Sequence, residues 1–249
     1  MYHFFISSSA IHGNTITITG PDVNHIRNVL RLRCGEIILV SDERQTDYRC
    51  AICQVEADGV TAAILETEAE NHELPSRIHL FQGLPKADKM EWIIQKAVEL
   101  GVYRIIPVSM KNCVVKLDEK KAAAKVRRWN AISESAAKQS KRSLVPEISA
   151  PLSFSEALSL SSSLSCRLMA YEHARGMAAA KEALSGIRPG MDIGVWIGPE
   201  GGFSPEEAAQ AAKEQWIPIS LGKRILRTET AGITLLSILM FHLETEECI

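Results

Sequence analysis

Residues 193–207 read Ile-Gly-Val-Trp-Ile-Gly-Pro-Glu-Gly-Gly-Phe-Ser-Pro-Glu-Glu, and residues 217–231 read Ile-Pro-Ile-Ser-Leu-Gly-Lys-Arg-Ile-Leu-Arg-Thr-Glu-Thr-Ala. In each segment a short apolar run typical of a β-strand stops near a glycine, an irregular loop follows, and a helix begins. Ser204, Pro205 and Glu207 have the spacing of an N-cap, a first-turn proline and a capping-box partner. The two segments therefore predict two strand-loop-helix units, and their loops contain the glycines.

The glycines of the first loop indicate a ligand site, and their spacing limits what the ligand is. Gly198, Gly201 and Gly202 have no Cβ, so the backbone there can lie against a small molecule. No Lys-Ser or Lys-Thr pair follows, which excludes a P-loop, and the Gly-x-Gly-x-x-Gly fingerprint of a dinucleotide site is absent. A turn that only connects strand and helix is the alternative interpretation, and the second glycine loop counts against it.

The composition is that of a globular protein with one large or two modest domains. The chain has 249 residues, of which 46% are hydrophobic and 23% are charged. Its start lacks the basic region of a signal peptide, and the apolar stretch 231–243 is too short to span a bilayer. Cys50 and Cys53 form a lone Cys-x-x-Cys, interpreted as packing residues. We expect a cytoplasmic protein that needs neither a membrane nor a metal.

The net charge of −2 conceals a strongly basic segment. Residues 1–72 contain five Arg and ten Asp or Glu, whereas residues 104–145 contain eleven Lys or Arg and three acidic residues. A cluster of cations is often only the solvated face of a helix. Beside a ligand pocket, however, it would attract a polyanion and contact its phosphates. RNA is therefore the expected macromolecular partner.

The pattern of elements predicts two domains, at residues 1–72 and 73–249. The first has β-type runs at 15–19, 36–41, 48–55 and 60–66, with one helix after Pro21 that buries Val23, Ile26, Val29 and Leu30. The polar stretch 68–75 is interpreted as a linker. From residue 78 strands and helices alternate, which predicts a parallel sheet covered by helices. Both glycine loops fall at the carboxyl ends of its strands, where such sheets bind ligands.

The two loops together resemble the cofactor loops of the SPOUT class of RNA methyltransferases. Within that class, Gly-Pro-Glu-Gly-Gly-Phe followed by Leu-Gly-x-Arg-Ile-Leu-Arg-x-Glu-Thr-Ala is similar to the RsmE family, which methylates N3 of a uridine in small-subunit (16S) ribosomal RNA. Further blocks at 24–36, 95–102 and 134–142 are also similar to that family. One departure is Asn112, where the family usually has arginine, which puts an RNA contact from this position in doubt.

The resemblance implies a C-terminal SPOUT-type α/β domain with a deep trefoil knot and an N-terminal PUA-like β-barrel that helps to hold RNA. It implies S-adenosylmethionine as the cofactor and a homodimer that uses the apolar helix 230–243. The implied cofactor-binding residues are Tyr171, Ile197, Gly198, Glu200, Gly201, Gly202, Leu221, Gly222, Ile225, Leu226, Thr230 and Ala231. The implied RNA-binding residues are His25, Arg27, Arg31, Lys116, Gln139 and Arg142.

Methylation of uridine N3 requires loss of the N3 proton. The reaction therefore needs at least a cation that stabilises the developing uracil anion and a carboxylate that orients this cation or takes the proton. Arg227 is the first candidate for the cation and Arg142 the second, while Glu200 and Glu229 are candidates for the carboxylate. Each of them could instead brace the loops by ion pairing. Two other functions stay open at this point: a ribose 2′-O RNA methyltransferase of the same fold, and a non-catalytic RNA-binding assembly factor.

Overall fold

A computed structural model describes residues 1–42, 44–68, 72–174 and 176–246. The chain forms two compact units. The first consists of Met1–Glu73 and Ala137–Val145, and the second of Leu74–Ala136 and Pro146–Ile249. Within the described parts of the chain, no helix is both long and apolar enough to cross a membrane. The predicted linker 68–75 lies partly outside the described residues, because 69–71 are not among them.

The first unit is a mixed six-stranded sheet in the order β1-β4-β5-β6-β3-β2. Only β1 and β4 are parallel, and the other neighbours are antiparallel. Buried residues such as Phe4, Ile18 and Ile38 form its single core. The strands are β1 Tyr2–Phe5, β2 Ile11–His12, β3 Thr15–Thr19, β4 Ile37–Ser41, β5 Asp47–Val55 and β6 Gly59–Glu68. The predicted β-rich character of this unit is confirmed.

The helix of the first unit differs from the prediction. α1, Pro21–Asn24, continues directly into a π-helical turn, His25–Leu30. A π-turn has a wider hydrogen-bonding period than an α-helix, so the expected spacing of apolar residues slips. Val23 and Ile26 are buried as predicted, but Val29 is 61% exposed. The prediction that Val29 packs in the core was therefore wrong.

The first unit also contains a segment that the sequence did not assign to it, Ala137–Val145. Ser143 Oγ donates a hydrogen bond to the buried carboxylate of Asp47 at 2.7 Å. Arg142 is only 3% exposed, and its Nε donates to both carboxylate oxygens of Glu73 at 3.2 Å. These buried polar contacts hold the segment against the sheet, because breaking one would leave a charge buried without its partner.

The second unit is a seven-stranded sheet whose pairings are all parallel, in the order β10-β8-β7-β12-β11-β13, with β9 beside β8. The predicted parallel sheet with alternating helices is confirmed. Its strands are β7 Arg77–Gly83, β8 Arg104–Ser109, β9 Glu147–Ile148, β10 Leu152–Ser153, β11 Cys166–Ala170, β12 Asp192–Ile197 and β13 Ile217–Ile219. Its helices are α2 Lys89–Glu99, α3 Glu119–Ser140, α4 Phe154–Leu160, α5 Ala178–Ser185, α6 Pro205–Lys213 and α7 Thr228–Glu246. α3 ends in the segment that belongs to the first unit.

The strand order explains why the two glycine loops meet. β11 lies between β12 and β13, so the loops that follow these three neighbouring strands emerge at one edge of the sheet. Beneath them is an aromatic cluster centred on Trp196, whose ring centroid lies 4.9 Å from that of Trp216 and 6.1 Å from that of Phe203. Phe203 belongs to the first glycine loop and is 5% exposed. Packing against this rigid cluster therefore anchors the loop to the sheet.

Candidate functional site

A cavity of about 390 Å³ opens at the carboxyl ends of β11, β12 and β13. This volume is in the range of small-molecule sites, and the position is the one at which parallel sheets bind ligands. The cavity is lined by both glycine loops, by the start of the loop after β11 and by one residue of α2, which is Lys89. The sequence-predicted position of the ligand site therefore coincides with a real cavity.

Ten of the twelve predicted cofactor residues line this cavity. They are Tyr171, Ile197, Gly198, Glu200, Gly202, Leu221, Gly222, Ile225, Leu226 and Ala231. Gly201 and Thr230 do not line it. The wall also includes residues that the prediction missed, among them Lys89, Phe203 and Thr228. Lys89 is brought to the site from α2 by tertiary packing, which local sequence patterns do not report, whereas Phe203 and Thr228 belong to the predicted loop segments.

The first glycine loop is tied to the start of α7 by a buried chain of hydrogen bonds. Thr228 Oγ1 donates to the carbonyl of Gly198 at 2.6 Å. Gln82, which is fully buried at the end of β7, donates its Nε2 to Thr228 Oγ1 at 2.9 Å. Buried hydrogen bonds in such a chain are costly to break, so the loop is held in one conformation. This chain connects the loops that follow β12 and β13.

Each of the three positions in the first loop is occupied by glycine for a different structural reason. Gly198 lines the cavity, and a Cβ there would lie 3.2 Å from the backbone of Gly202. Gly202 has φ +65°, a left-handed conformation that favours glycine. A Cβ at Gly201 would lie 2.9 Å from the Cβ of Asn112, so the small size of this residue allows packing against Asn112. Gly201 does not line the cavity, and its contact with the ligand stays a prediction.

Asn112 supports the glycine loop directly. Its Nδ2 donates to the carbonyl oxygens of Gly201 at 2.9 Å and of Gly202 at 3.3 Å. The neighbouring backbone N–H of Lys111 donates to Glu207 Oε1 at 2.8 Å. Glu207 and Ser204 form the predicted capping box at the start of α6. Lys111 and Asn112 therefore brace the second half of the loop and the start of α6, which gives Asn112 a local structural role.

The second glycine loop contributes a basic rim. Lys223, Arg224 and Arg227 all line the cavity and are all exposed to solvent. Arg227 precedes α7, and its carbonyl accepts the first hydrogen bond of that helix, from Ala231 N–H at 2.8 Å. Among the described residues, none forms an ion pair with the Arg227 guanidinium. This guanidinium is therefore available to a ligand at the mouth of the cavity.

The cavity also has an ion cluster made of Glu200, Lys89 and Glu229, of which Glu200 and Lys89 line the wall. Lys89 Nζ lies 3.0 Å from Glu200 Oε1 and 3.3 Å from Glu229 Oε2. Glu200 also accepts the backbone N–H of Lys86 at 3.1 Å. Burial acts to raise the pKa of Glu200, but hydrogen bonds from the backbone and Lys89 outweigh it and lower that pKa. Glu200 is therefore ionised at neutral pH.

The two other candidate catalytic residues lie in different surroundings. Glu229 does not line the cavity and reaches it only through Lys89. Arg142 belongs to the first unit and is buried with Glu73, so its side chain has a structural partner there. The other predicted RNA-binding residues, which are His25, Arg27, Arg31, Lys116 and Gln139, are all exposed. Their contact with RNA stays a prediction.

The described residues include no group of three or more His, Cys, Asp or Glu side chains that could hold a metal ion. The polar groups of the cavity wall are carboxylates, ammonium and guanidinium groups, backbone amides and the hydroxyl groups of Tyr171, Ser220 and Thr228. This set can bind an uncharged ring through backbone groups and aliphatic side chains while it presents a free arginine and an ionised glutamate.

Comparisons with known proteins match both units of the chain. The RNA methyltransferase domain family matches residues 72–240, and the RNA methyltransferase PUA domain family matches residues 18–65. The chain is 38% identical over 233 residues to the ribosomal RNA small subunit methyltransferase E of Bacillus subtilis, covering 92% of this chain and 91% of that protein. The corresponding protein of Mesomycoplasma hyopneumoniae is 34% identical, with 95% and 98% of the two chains covered.

Solved structures give the same result. The ribosomal RNA small subunit methyltransferase E of Neisseria gonorrhoeae, bound to S-adenosyl methionine, superposes with a TM-score of 0.82 at 32% identity and covers 97% of each chain. A putative methyltransferase of Legionella pneumophila with bound S-adenosylmethionine superposes with a TM-score of 0.84 at 30% identity, covering 96% and 97%. The similarity extends over both units, including the cavity and the loops that form it, and the chain belongs to the ribosomal RNA small subunit methyltransferase E (RsmE) family.

Proposed function

We propose that the protein transfers a methyl group from S-adenosylmethionine to N3 of a specific uridine in 16S ribosomal RNA of the small ribosomal subunit. The observation that carries this proposal is the pair of charged groups that line one cavity. Arg227, which has no ion-pair partner among the described residues, and the ionised Glu200 line the same cavity as the two glycine loops. A cation and a carboxylate beside a cofactor pocket are the groups that methylation of uridine N3 requires.

The residues of the cavity fit S-adenosylmethionine. Gly222 lines the cavity, and nothing lies within 4 Å of the position that its Cβ would take. The backbone of Gly222 is therefore accessible to a ligand in the cavity. Ile197, Leu221 and Leu226 provide aliphatic walls for an uncharged adenine, which needs neither a lysine nor a magnesium ion. When bound, S-adenosylmethionine supplies a methyl group on a positively charged sulfonium.

The residues of this chain have separable tasks in the reaction. Positioning of the uracil ring supplies most of the rate, because transfer to N3 needs an in-line approach. Arg227 stabilises the negative charge that develops on the uracil as N3 loses its proton. Glu200, which lines the cavity where Glu229 does not, is the carboxylate that orients N3–H by a hydrogen bond and takes its proton as the bond between N3 and the methyl group forms. Glu229 acts through Lys89.

Nucleoside mapping tests this function and separates it from its alternatives. Small ribosomal subunits from a strain that lacks the gene are incubated with the protein and S-adenosylmethionine, and the RNA is digested and analysed by mass spectrometry. We expect one methyl group on the base of one uridine. Because N3 lies on the pairing edge, reverse transcriptase should stop at that nucleotide. Methylated ribose would indicate the 2′-O alternative, and RNA binding without methylation would indicate the non-catalytic one.

The exposed residues His25, Arg27, Arg31, Lys116 and Gln139 are proposed RNA contacts. Within the basic segment, Lys116 and Arg127 have no ion-pair partner among the described residues, whereas Arg128 pairs with Glu91 at 2.7 Å. Unpaired cations can neutralise phosphates without first breaking a protein ion pair. Since ribosomal RNA is the proposed substrate, the proposed place of action is the cytoplasm.

We expect the protein to be a homodimer that uses the outer face of α7. Leu235, Leu236 and Leu239 are buried, but Phe241 is 72% exposed on the same helix. An apolar helix that is covered on one side only favours a partner on the other. Light scattering should give about twice the 27.4 kDa of one chain, and Phe241→Glu should shift the mass to that of a monomer. Leu160→Glu, at another exposed leucine, should leave it unchanged. A monomeric wild-type protein at micromolar concentration would contradict the prediction.

Asn112→Ala is expected to weaken S-adenosylmethionine binding up to roughly thirtyfold, because each of two lost hydrogen bonds contributes about 1 kcal/mol. The bonds are those from Asn112 to the carbonyls of Gly201 and Gly202, so the glycine loop would lose its brace. Asn112→Asp should behave similarly, since a carboxylate cannot donate these bonds. Calorimetry measures the dissociation constants, and an unchanged value for both variants would assign the loop's conformation to other contacts.

A further inference from the structure

Charged groups of both signs lie around the cavity and differ in exposure. Lys223, Arg224 and Arg227 form an exposed basic rim, and the carboxylate of Glu172 is also exposed at the wall. The ion cluster is less exposed, with side-chain exposures of 25% for Glu200, 32% for Lys89 and 15% for Glu229. Exposed charges are screened by water and salt, whereas partly buried charges are screened much less. Per unit of charge, a small molecule inside the cavity therefore interacts more strongly with the ion cluster than with the cations of the exposed rim.

The ion cluster has a net charge of −1. Glu200 is ionised, for the reasons given above, and the hydrogen bond to Glu200 raises the pKa of Lys89, so Lys89 stays protonated. Glu229 Oε2 is buried and has no hydrogen bond from the described residues; its nearest charged neighbour is Lys89 Nζ at 3.3 Å. One ammonium group thus serves two carboxylates and cannot neutralise both.

Two features of the backbone near Lys89 are energetically unfavourable. Lys89 is the first residue of α2, where the positive end of the helix dipole disfavours a cation. Just before it, Ala87 has φ +53°, a strained conformation for a residue other than glycine. This turn brings the N–H of Lys86 to Glu200 and the Nζ of Lys89 between the two carboxylates. Strain of this kind persists where a site requires it.

We propose that the Glu200–Lys89–Glu229 cluster makes the cavity select the positively charged methyl donor over its uncharged product. The proposal rests on the proposed function. S-adenosylmethionine has a sulfonium, an ammonium and a carboxylate and therefore a net charge of +1. S-adenosylhomocysteine has lost the sulfonium charge and is neutral overall. The surplus negative charge of the cluster attracts the donor, and this attraction ends when the methyl group has left, which favours exchange of product for a new donor.

Glu229→Gln tests the proposal, because it removes one negative charge and retains the shape of the side chain. Glu229 does not line the cavity, so no direct contact with a ligand is lost. Isothermal titration calorimetry with S-adenosylmethionine and, separately, S-adenosylhomocysteine gives the two dissociation constants. One unit of charge near a protein surface should change the affinity for the cation by roughly three- to tenfold. We expect that loss for S-adenosylmethionine and almost none for S-adenosylhomocysteine.

Two further variants control the experiment. Glu229→Asp retains the charge and should retain the preference, even if the shorter side chain alters both affinities. Glu214→Gln removes an exposed carboxylate outside the cavity wall and should change neither affinity. The preference of Glu229→Gln should also depend less on salt than that of the wild type. If Glu229→Gln folds with a normal melting temperature and keeps the wild-type preference, or if Glu229→Asp loses the preference, the proposal is overturned. A wild-type protein that binds neither molecule would instead refute the proposed function.

Discussion

Arg227→Ala is expected to lower kcat about a hundredfold or more while the affinity for S-adenosylmethionine changes little. The guanidinium lies at the cavity wall, is exposed, and has no ion-pair partner among the described residues. Its interaction with uracil grows as N3 loses its proton, so its removal raises the energy of the transition state more than that of the bound ground state. Single-turnover rates with saturating RNA and cofactor measure the effect without a contribution from product release.

Two comparisons separate this role from simple bracing of the loop. Arg227→Lys should recover only part of the rate, because one ammonium group cannot reproduce the forked donors of a guanidinium. Lys213→Ala removes an exposed cation of α6 outside the cavity wall and should leave the rate near that of the wild type. If Arg227 only braces the loop, then cofactor affinity, melting temperature and rate should fall together. An unchanged rate in Arg227→Ala would exclude the residue from the chemistry.

The contrast with Arg142 shows what a sequence can and cannot say about a charged residue. Both arginines were candidates for the same role, since both belong to segments that resemble the family. Arg142 is 3% exposed and paired with Glu73, 69 positions away, whereas Arg227 is exposed at the cavity. Which arginine has a carboxylate partner depends on contacts between distant segments. Periodicity and capping signals contain no information about such contacts.

Local signals, by comparison, predicted local structure well. The Ser204 capping box and Pro205 place the start of α6 at the residue that the structure gives, because side chains within one turn determine a helix start. The π-turn at His25–Leu30 was missed, since α-helical spacing was assumed. Four short strands, β1, β2, β9 and β10, were also missed, because two to four residues are too few for a periodic pattern.

The position of the cavity was predicted, and its composition was predicted in part. Strand ends followed by glycines indicated the two loops, and ten of the expected residues line the wall. Lys89 was not expected, because it reaches the site from a helix that starts more than one hundred residues earlier in the chain. The packing of Gly201 against Asn112 was likewise not expected, because Asn112 precedes it by 89 positions. The deep knot implied by the resemblance stays a prediction.

Gly83→Ala is expected to weaken S-adenosylmethionine binding roughly a hundredfold, although Gly83 does not line the cavity. A Cβ at this position, the end of β7, would lie 2.6 Å from both Cδ and the backbone N of Pro199. An ordinary contact needs about 3.5 Å or more, so the glycine loop would move by roughly 1 Å, a displacement that can cost about a hundredfold in a positioned site. The matched control is Gly186→Ala, with φ −88° and its nearest contact at 3.5 Å, which should bind normally. Calorimetry gives the affinities, and circular dichroism verifies that each variant is folded. The added methyl group acts on the ligand by moving the Gly198–Gly202 loop. A folded Gly83→Ala variant that binds the cofactor as tightly as the wild type would therefore show that the position of this backbone does not determine binding.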